Sequence, residues 1–344
     1  MRSHPLVQLT LVKIRDLLRE KEALFWVFVF PLLLAVALGI AFRGQEASPV
    51  PVGVVAGPGA EALAAALRGS DRLIVREFTG EDDAGDALRR GRVAIVVLPG
   101  DPPTYWYDPT RQESAYARLA TDEAVQRGAG RVDPVRPEAR EMTETGSRYI
   151  DFLLPGLIGM NLMGTGMWGV GYGIVEYRTK GILKRLAATP MRRGHFLLAQ
   201  ILGRLVFVIA EVAVLLGFGR LAFGVPMRGS YALFVAIAVL GGMAFAGIGL
   251  STAARTKTVE GAAGLIQLVQ LPMWILSGIF FSTSRFPEAM QPVVKVLPLT
   301  ALLDALRGVM LDGAGLAQVA GPLAITAAWG AMAFALALAG FRWR

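Results

Sequence analysis

The chain of 344 residues contains no cysteine. Disulfides, thiolate zinc sites, iron–sulfur clusters and cysteine nucleophiles are therefore excluded. Histidine is nearly absent: His4 and His195 alone are too few for a histidine-based metal centre. Lysine is limited to six residues, none of them in the frame G-x-x-x-x-G-K-[ST]. The chain thus lacks the usual phosphate loop for hydrolysing ATP. Charge is sparse as well. Asp, Glu, Lys and Arg make up 18% of the residues, against about 25% in a typical soluble domain.

Apolar residues fill the gap, at 54% with a mean hydropathy of +0.49. A disordered chain is excluded, and a membrane protein with some aqueous mass is the first reading. The net charge of +8 and pI near 10 invite a nucleic-acid partner. Most Lys and Arg outside residues 43–147 sit at the ends of apolar runs instead, so the expected partner is the lipid bilayer and not nucleic acid.

The first apolar run, Leu24 to Phe42, is uncharged. At ~1.5 Å per residue it is about 28 Å long, enough to cross a hydrocarbon core. Its charged lead is too long and its core too extended for a cleaved signal peptide, so an uncleaved span is expected. Five more runs follow at about 150–174, 196–223, 231–254, 261–281 and 319–341.

Six spans put both ends of the chain on one side, and the Lys/Arg bias decides which. One side holds Arg2, Lys13, Arg15, Arg19, Lys21, Arg178, Lys180, Lys184, Arg185, Arg192, Arg193, Arg255, Lys257, Arg342 and Arg344. The short loops opposite hold only Arg228, Arg285, Lys295 and Arg307. Both termini are thus expected in the cytoplasm of a multi-pass protein in a bacterial plasma (inner) membrane. Leu6, Leu9, Val12, Ile14, Leu17 and Leu18 recur at near-helical spacing among Lys13, Arg15, Asp16 and Arg19. Residues 1–23 therefore read as a cytoplasmic amphipathic interfacial helix, with residues 24–42 as the first span.

Residues 43–147 form a polar block too long for a structureless loop. Strands are expected at 51–55, 73–78, 92–98 and 105–107, and helices at 60–68, 82–90 and 112–126. This alternation describes a small α/β domain, here extracytoplasmic. Gly53, Gly57 and Gly59 are read as turn glycines. Tyr105, Trp106 and Tyr107 are read as strand aromatics packing on a core rather than as a ligand site. The expected class is an α-helical polytopic membrane protein with six transmembrane helices and this domain inserted. Spans two to six then occupy 148–344.

Within the spans, Arg204, Glu211 and Arg220 are ionisable, and such groups at membrane depth usually face protein or water. Arg204 and Glu211 lie seven residues apart, about 10 Å along one face. They pair directly only if both side chains bend toward each other. Glu211 reads either as a polar point on a translocation path or as half of an interhelical salt bridge. Asn161, Gln267 and Gln270 are weaker polar marks that interhelical hydrogen bonds explain equally well. Span two is dense in glycine, and Gly169 with Gly173 forms a small-xxx-small pair suited to close packing. Residues 286–310 are apolar but broken by Pro287, Pro292 and Pro298, so short helices dipping into the outer leaflet are expected.

On the cytoplasmic side, the loop 176–194 opens with Glu176, Arg178 and Lys180. Ile182, Leu183 and Leu186 then share a helical face, with Lys184 and Arg185 off it. Thr189-Pro190 stops that helix, ahead of Arg192 and Arg193. A short amphipathic helix between two spans suits docking on a partner, with its basic residues at the rim.

The stretch Lys184-Arg-Leu-Ala-Ala-Thr-Pro190 through Leu202 resembles the loop after the second span in permeases of the ABC-2 type. The segment Leu297-Pro-Leu-Thr-Ala-Leu-Leu-Asp-Ala-Leu-Arg307 resembles the stretch before their last span. The order of elements along the whole chain is similar too. The resemblance implies a permease of an ATP-binding cassette exporter, moving a drug, lipid or other amphiphile outward. It implies no cofactor on this chain, with ATP and Mg bound by a cytoplasmic ATPase partner, and a second permease subunit, identical or closely homologous. By this resemblance spans one and five border that second subunit. A gradient-driven secondary transporter is the alternative, but no inverted repeat is visible. A membrane-anchored sensor would need fewer spans.

Overall fold

The structure is a computed structural model describing residues 5–42, 49–132, 134–135, 148–182, 185, 188, 193–256 and 258–340. The chain divides into an inserted unit, Gly44–Met142, and a helical unit formed by Met1–Arg43 with Thr143–Arg344.

In the helical unit, α1 (Pro5–Arg19) carries the apolar periodicity read from the sequence. It packs on the third span and leaves Val7, Leu11, Val12 and Leu18 exposed. Glu20, at φ −79°, ψ 87°, breaks the chain between α1 and span one.

Among the described residues, six helices are long and apolar enough to cross a membrane. Spans one and two are Lys21–Ala41 and Tyr149–Thr179. Spans three and four are Arg193–Phe223 and Tyr231–Arg255. Spans five and six are Val259–Leu276 and Leu316–Gly340. Span two is the central helix, with Leu153, Leu157 and Leu162 fully buried, and Phe234, Phe245, Leu302 and Leu306 complete the core around it.

Glycine governs how spans two and four cross. A Cβ on Gly171 would lie 2.4 Å from the Gly249 carbonyl oxygen, and one on Gly249 would lie 2.7 Å from that of Met167. The expected small-residue pair, Gly169 and Gly173, has no neighbouring atom within 4 Å of either Cβ position. This corrects the sequence reading: a π-helical turn at Met167–Tyr172 rotates the face presented, so a spacing counted on a regular helix selects the wrong glycines.

The inserted unit holds a four-stranded sheet in the order β2-β1-β3-β4. The strands are β1 (Val50–Val55), β2 (Leu73–Phe78), β3 (Ile95–Leu98) and β4 (Thr104–Tyr107). β1 pairs in parallel with β2 and β3, and β4 is antiparallel to β3. β3 starts three residues later than expected, although Ala94 N still donates to the Pro51 carbonyl at 2.8 Å. Helices α2 (Ala60–Arg68), α3 (Glu81–Arg89) and α4 (Gln112–Gly128) flank the sheet. Val52, Val54, Ile95 and Val97 meet α2 and α4 on one face, and Val55 and Val96 meet α3 on the other. β4 alternates with the pleat: Tyr105 and Tyr107 join the first core and Trp106 the second. The aromatic triplet is packing, as its alternation implied.

Between spans five and six run two short 3-10 turns, α5 (Gln291–Val296) and α6 (Pro298–Asp312). Pro298 opens α6 at its first turn, and Gly313 at φ 69° closes it, the usual asymmetry of helix ends. Its 15 residues make about 22 Å, short of a crossing.

Candidate functional site

Of the polar marks in the spans, Asn161, Arg204 and Glu211 converge on one buried network, and Arg220, Gln267 and Gln270 lie outside it. Span one contributes a carbonyl. Pro31 has no N–H to serve Val27 four residues back, and the turn Phe25–Val29 is π-helical. Asn161 of span two supplies the missing donor, its Nδ2 lying 2.9 Å from the Val27 oxygen.

One helical turn further along span two, the Thr165 hydroxyl lies 2.6 Å from the Asn161 carbonyl and 3.3 Å from Glu211 Oε2. Having one proton, it donates to the nearer carbonyl and accepts from Arg204 Nη2. Arg204 closes the network: its Nη1 lies 3.2 Å from Glu211 Oε1. The two side chains do bend toward each other, and the length of the arginine spans the seven-residue gap. Glu211 is 1% exposed. A buried carboxylate needs such a cation and its hydrogen bonds to remain ionised. The pair lies within span three but is held by span two, so the arrangement ties spans one, two and three through polar groups.

The two glutamines separate. Gln270 is buried, and its Oε1 accepts from Trp168 Nε1 of span two at 2.7 Å. Gln267 is exposed. It shares the outer face of span five with Leu265, Leu268, Leu271 and Ile275, all exposed. Span one likewise exposes Phe25, Trp26, Val29 and Leu33.

At the base of the loop between spans two and three, Lys180 Nζ lies 2.6 Å from Glu176 Oε1, which holds the ammonium above its ordinary range. Arg178 Nη1 donates to the Thr256 carbonyl at 2.9 Å, fastening the end of span two to the end of span four. Gly181 turns the chain at φ 68°. Beyond it Ile182 is half-buried and Arg185 exposed. The backbone of Arg193 begins span three. Leu183, Lys184, Leu186, Thr189, Pro190 and Arg192 lie outside the described residues.

At the opposite end, two arginines hold the bundle. Arg148 pairs with the fully buried Asp151 at 2.9 Å and donates to the Phe223 carbonyl at 2.8 Å, a cation at a helix C-terminus. Arg307 of α6 stacks 3.7 Å over the Phe152 ring and donates to the Gly278 carbonyl at 2.6 Å. Neither role is visible in the sequence, where both residues lie beside loops. Thr165 and Val27 were also missed. The signal for Val27 was Pro31, a proline inside an otherwise regular span.

The family described as ABC-2 family transporter protein matches residues 21–339. The chain is 30% identical over 172 residues to "ABC transporter G family member 20" of Dictyostelium discoideum, covering 49% of this chain and 23% of that protein. It is 25% identical over 192 residues to "Probable multidrug ABC transporter permease YbhR" of Escherichia coli, covering 55% and 52%. It is 26% identical over 207 residues to "Linearmycin resistance permease protein LnrN" of Bacillus subtilis, covering 60% and 52%. The matched stretch thus spans about half of the two bacterial relatives, and less of the first.

Proposed function

The chain belongs to the ABC-2 transporter family, and from that premise we propose that it is the membrane-spanning permease subunit of an ATP-driven exporter. Its substrate is an amphiphile, a drug or a lipid, as the multidrug and resistance permeases among its relatives suggest. ATP and Mg are held by a separate cytoplasmic ATPase. Both termini and the loop 176–194 face the cytoplasm, by the fifteen-to-four charge bias, and the inserted α/β domain lies outside. The exposed faces of spans one and five meet a second permease subunit, with Gln267 on that border.

The observation that carries this reading is the polar network Asn161–Thr165–Glu211–Arg204, which links the partner-facing span one to spans two and three within a bilayer-sized apolar bundle. Movement of span one relative to span two would have to exchange the Asn161–Val27 bond, so the network is suited to sense the path. The gradient-driven alternative would use Glu211 as a proton carrier. Such carriers often show inverted repeats with broken helices near the midplane, and no repeat is visible in the sequence.

The loop 176–194 is the coupling element, with Leu183 and Leu186 seated on the ATPase and Lys184, Arg185, Arg192 and Arg193 at the rim. The test is co-purification with the cytoplasmic ATPase, followed by its hydrolysis rate with candidate amphiphiles. Leu183→Asp with Leu186→Asp is expected to leave the permease inserted while abolishing ATPase binding or substrate-stimulated hydrolysis. Normal transport by a stably expressed double variant would remove the loop from the mechanism.

A further inference from the structure

Spans three and four leave a groove of about 320 Å³ between them, with the chain that joins them and α6 completing its wall. On span three the wall is formed by Ile209, Val212, Leu216 and Arg220. These residues follow one another at three- and four-residue steps and so share one stripe of the helix. Tyr231 lines the groove from span four. Gly217 belongs to the same wall, and a Cβ placed on it would meet no atom within 4 Å. The side chains of the protein thus leave this seam open.

The polar side chains of the groove stand at one end only. Arg220 precedes the end of span three at Phe223 by three residues, and Tyr231 is the first residue of span four. Both therefore lie at one face of the bilayer. Both are exposed, and neither the Arg220 guanidinium nor the Tyr231 hydroxyl has an ion-pair or hydrogen-bond partner among the described residues. From Arg220 the wall runs eleven residues down span three to Ile209, about 16 Å along the axis. That is half of a hydrocarbon core of about 30 Å, the depth of one leaflet. The groove thus matches a molecule with an anionic head and an apolar tail one leaflet long. A guanidinium fork fits a phosphate, and a phenol can donate beside it. A free phosphate would leave the apolar wall unused.

We propose that this groove binds one phospholipid, its phosphate accepting from Arg220 and the Tyr231 hydroxyl and one acyl chain lying along span three past Leu216 and Val212 to Ile209. Charge complementarity selects the head, and the length of the wall selects the tail. The acyl chain supplies the packing contacts that Gly217 lacks. The inference requires a bilayer but does not depend on the chain being an exporter.

The experiment is native mass spectrometry of the intact purified subunit, delipidated in detergent and titrated with dioleoyl phosphatidylglycerol. The wild type is expected to take up one tightly held, saturable lipid. Arg220→Gln removes the charge from an exposed position and should weaken that site about tenfold, the range of a hydrogen bond to a charged group. Gly217→Leu fills the groove without meeting protein atoms and improves the helix propensity of span three, so it should weaken the site in a folded protein. Ala213→Leu, on the same wall, is the second filling variant, and thermal unfolding identifies which of the variants are folded. Dioleoylglycerol, which lacks the phosphate, and glycerol phosphate, which lacks the chains, should each bind about tenfold more weakly or not at all. Uptake that never saturates, one-site binding unchanged in Arg220→Gln or in a folded filling variant, or equal binding of either fragment would overturn the proposal. Failure of the exporter reading would show instead as a missing ATPase partner, with lipid binding intact.

Discussion

In the inserted unit the ion pairs Arg68–Glu77, Arg89–Asp86 and Arg127–Glu123 lie on the surface, with side chains 38–73% exposed. In the helical unit the carboxylates of Asp151 and Glu211 are 0% and 1% exposed. The first set joins groups already solvated, where a pair contributes at most about 1 kcal/mol. The second joins groups that cannot stand alone, and removing one partner of a buried pair costs about 3–5 kcal/mol. The same residue types thus decorate one unit and dictate the helix arrangement of the other. In apolar surroundings a charge fixes its partner, and through it the packing of a neighbouring span.

This contrast breaks if Glu211→Ala is tolerated. The substitution strands Arg204 in the bundle and is expected to lower stability by about 3–5 kcal/mol, read as loss of membrane accumulation and a lower unfolding temperature in detergent. Next in size is the crossing of spans two and four. Gly171→Val places a side chain against the Gly249 backbone and should destabilise by about 1–3 kcal/mol or more. Gly169→Val, in open space, should behave almost as wild type. Equal damage from both would mean that the π-helical turn does not set the face.

The smallest effect belongs to the inserted unit. The hydrogen bond and charge of Arg89 hold the exposed Asp86 carboxyl below its ordinary value. That contribution is present above the unfolded pKa of about 3.9. It is lost as pH falls through the lower folded pKa. Arg89→Gln should raise the Asp86 pKa toward the ordinary value, read by NMR titration, with the neutral-pH unfolding temperature unchanged within error. A marked destabilisation at neutral pH would erase the distinction between the units.

The elements themselves were largely legible. Spans are read from length alone, because a bilayer demands about twenty apolar residues, and the α/β unit is read from its alternating strand and helix periods. What stayed hidden depends on contacts between distant segments. Arg204 and Glu211 were visible as ionisable residues. Thr165, which accepts from Arg204, was not, because a threonine in a glycine-rich span has no periodic signature. The glycine pair 169/173 was misread because a regular helix was assumed across a π-helical turn. Gln270 carried the polar mark expected of it, but only the fold shows that Trp168 of the same chain answers it.

We propose that the Arg204–Glu211 pair serves transport beyond the helix packing that it fastens. Replacing both by leucine removes the charges together, and such apolar swaps of buried pairs are often neutral or stabilising. Export of an amphiphilic substrate by the Arg204→Leu/Glu211→Leu protein, reconstituted with its ATPase, is therefore the decisive measurement. The account predicts normal accumulation, normal ATPase binding and export lost to background. Export at the wild-type rate would contradict it and leave the pair a structural fastening alone.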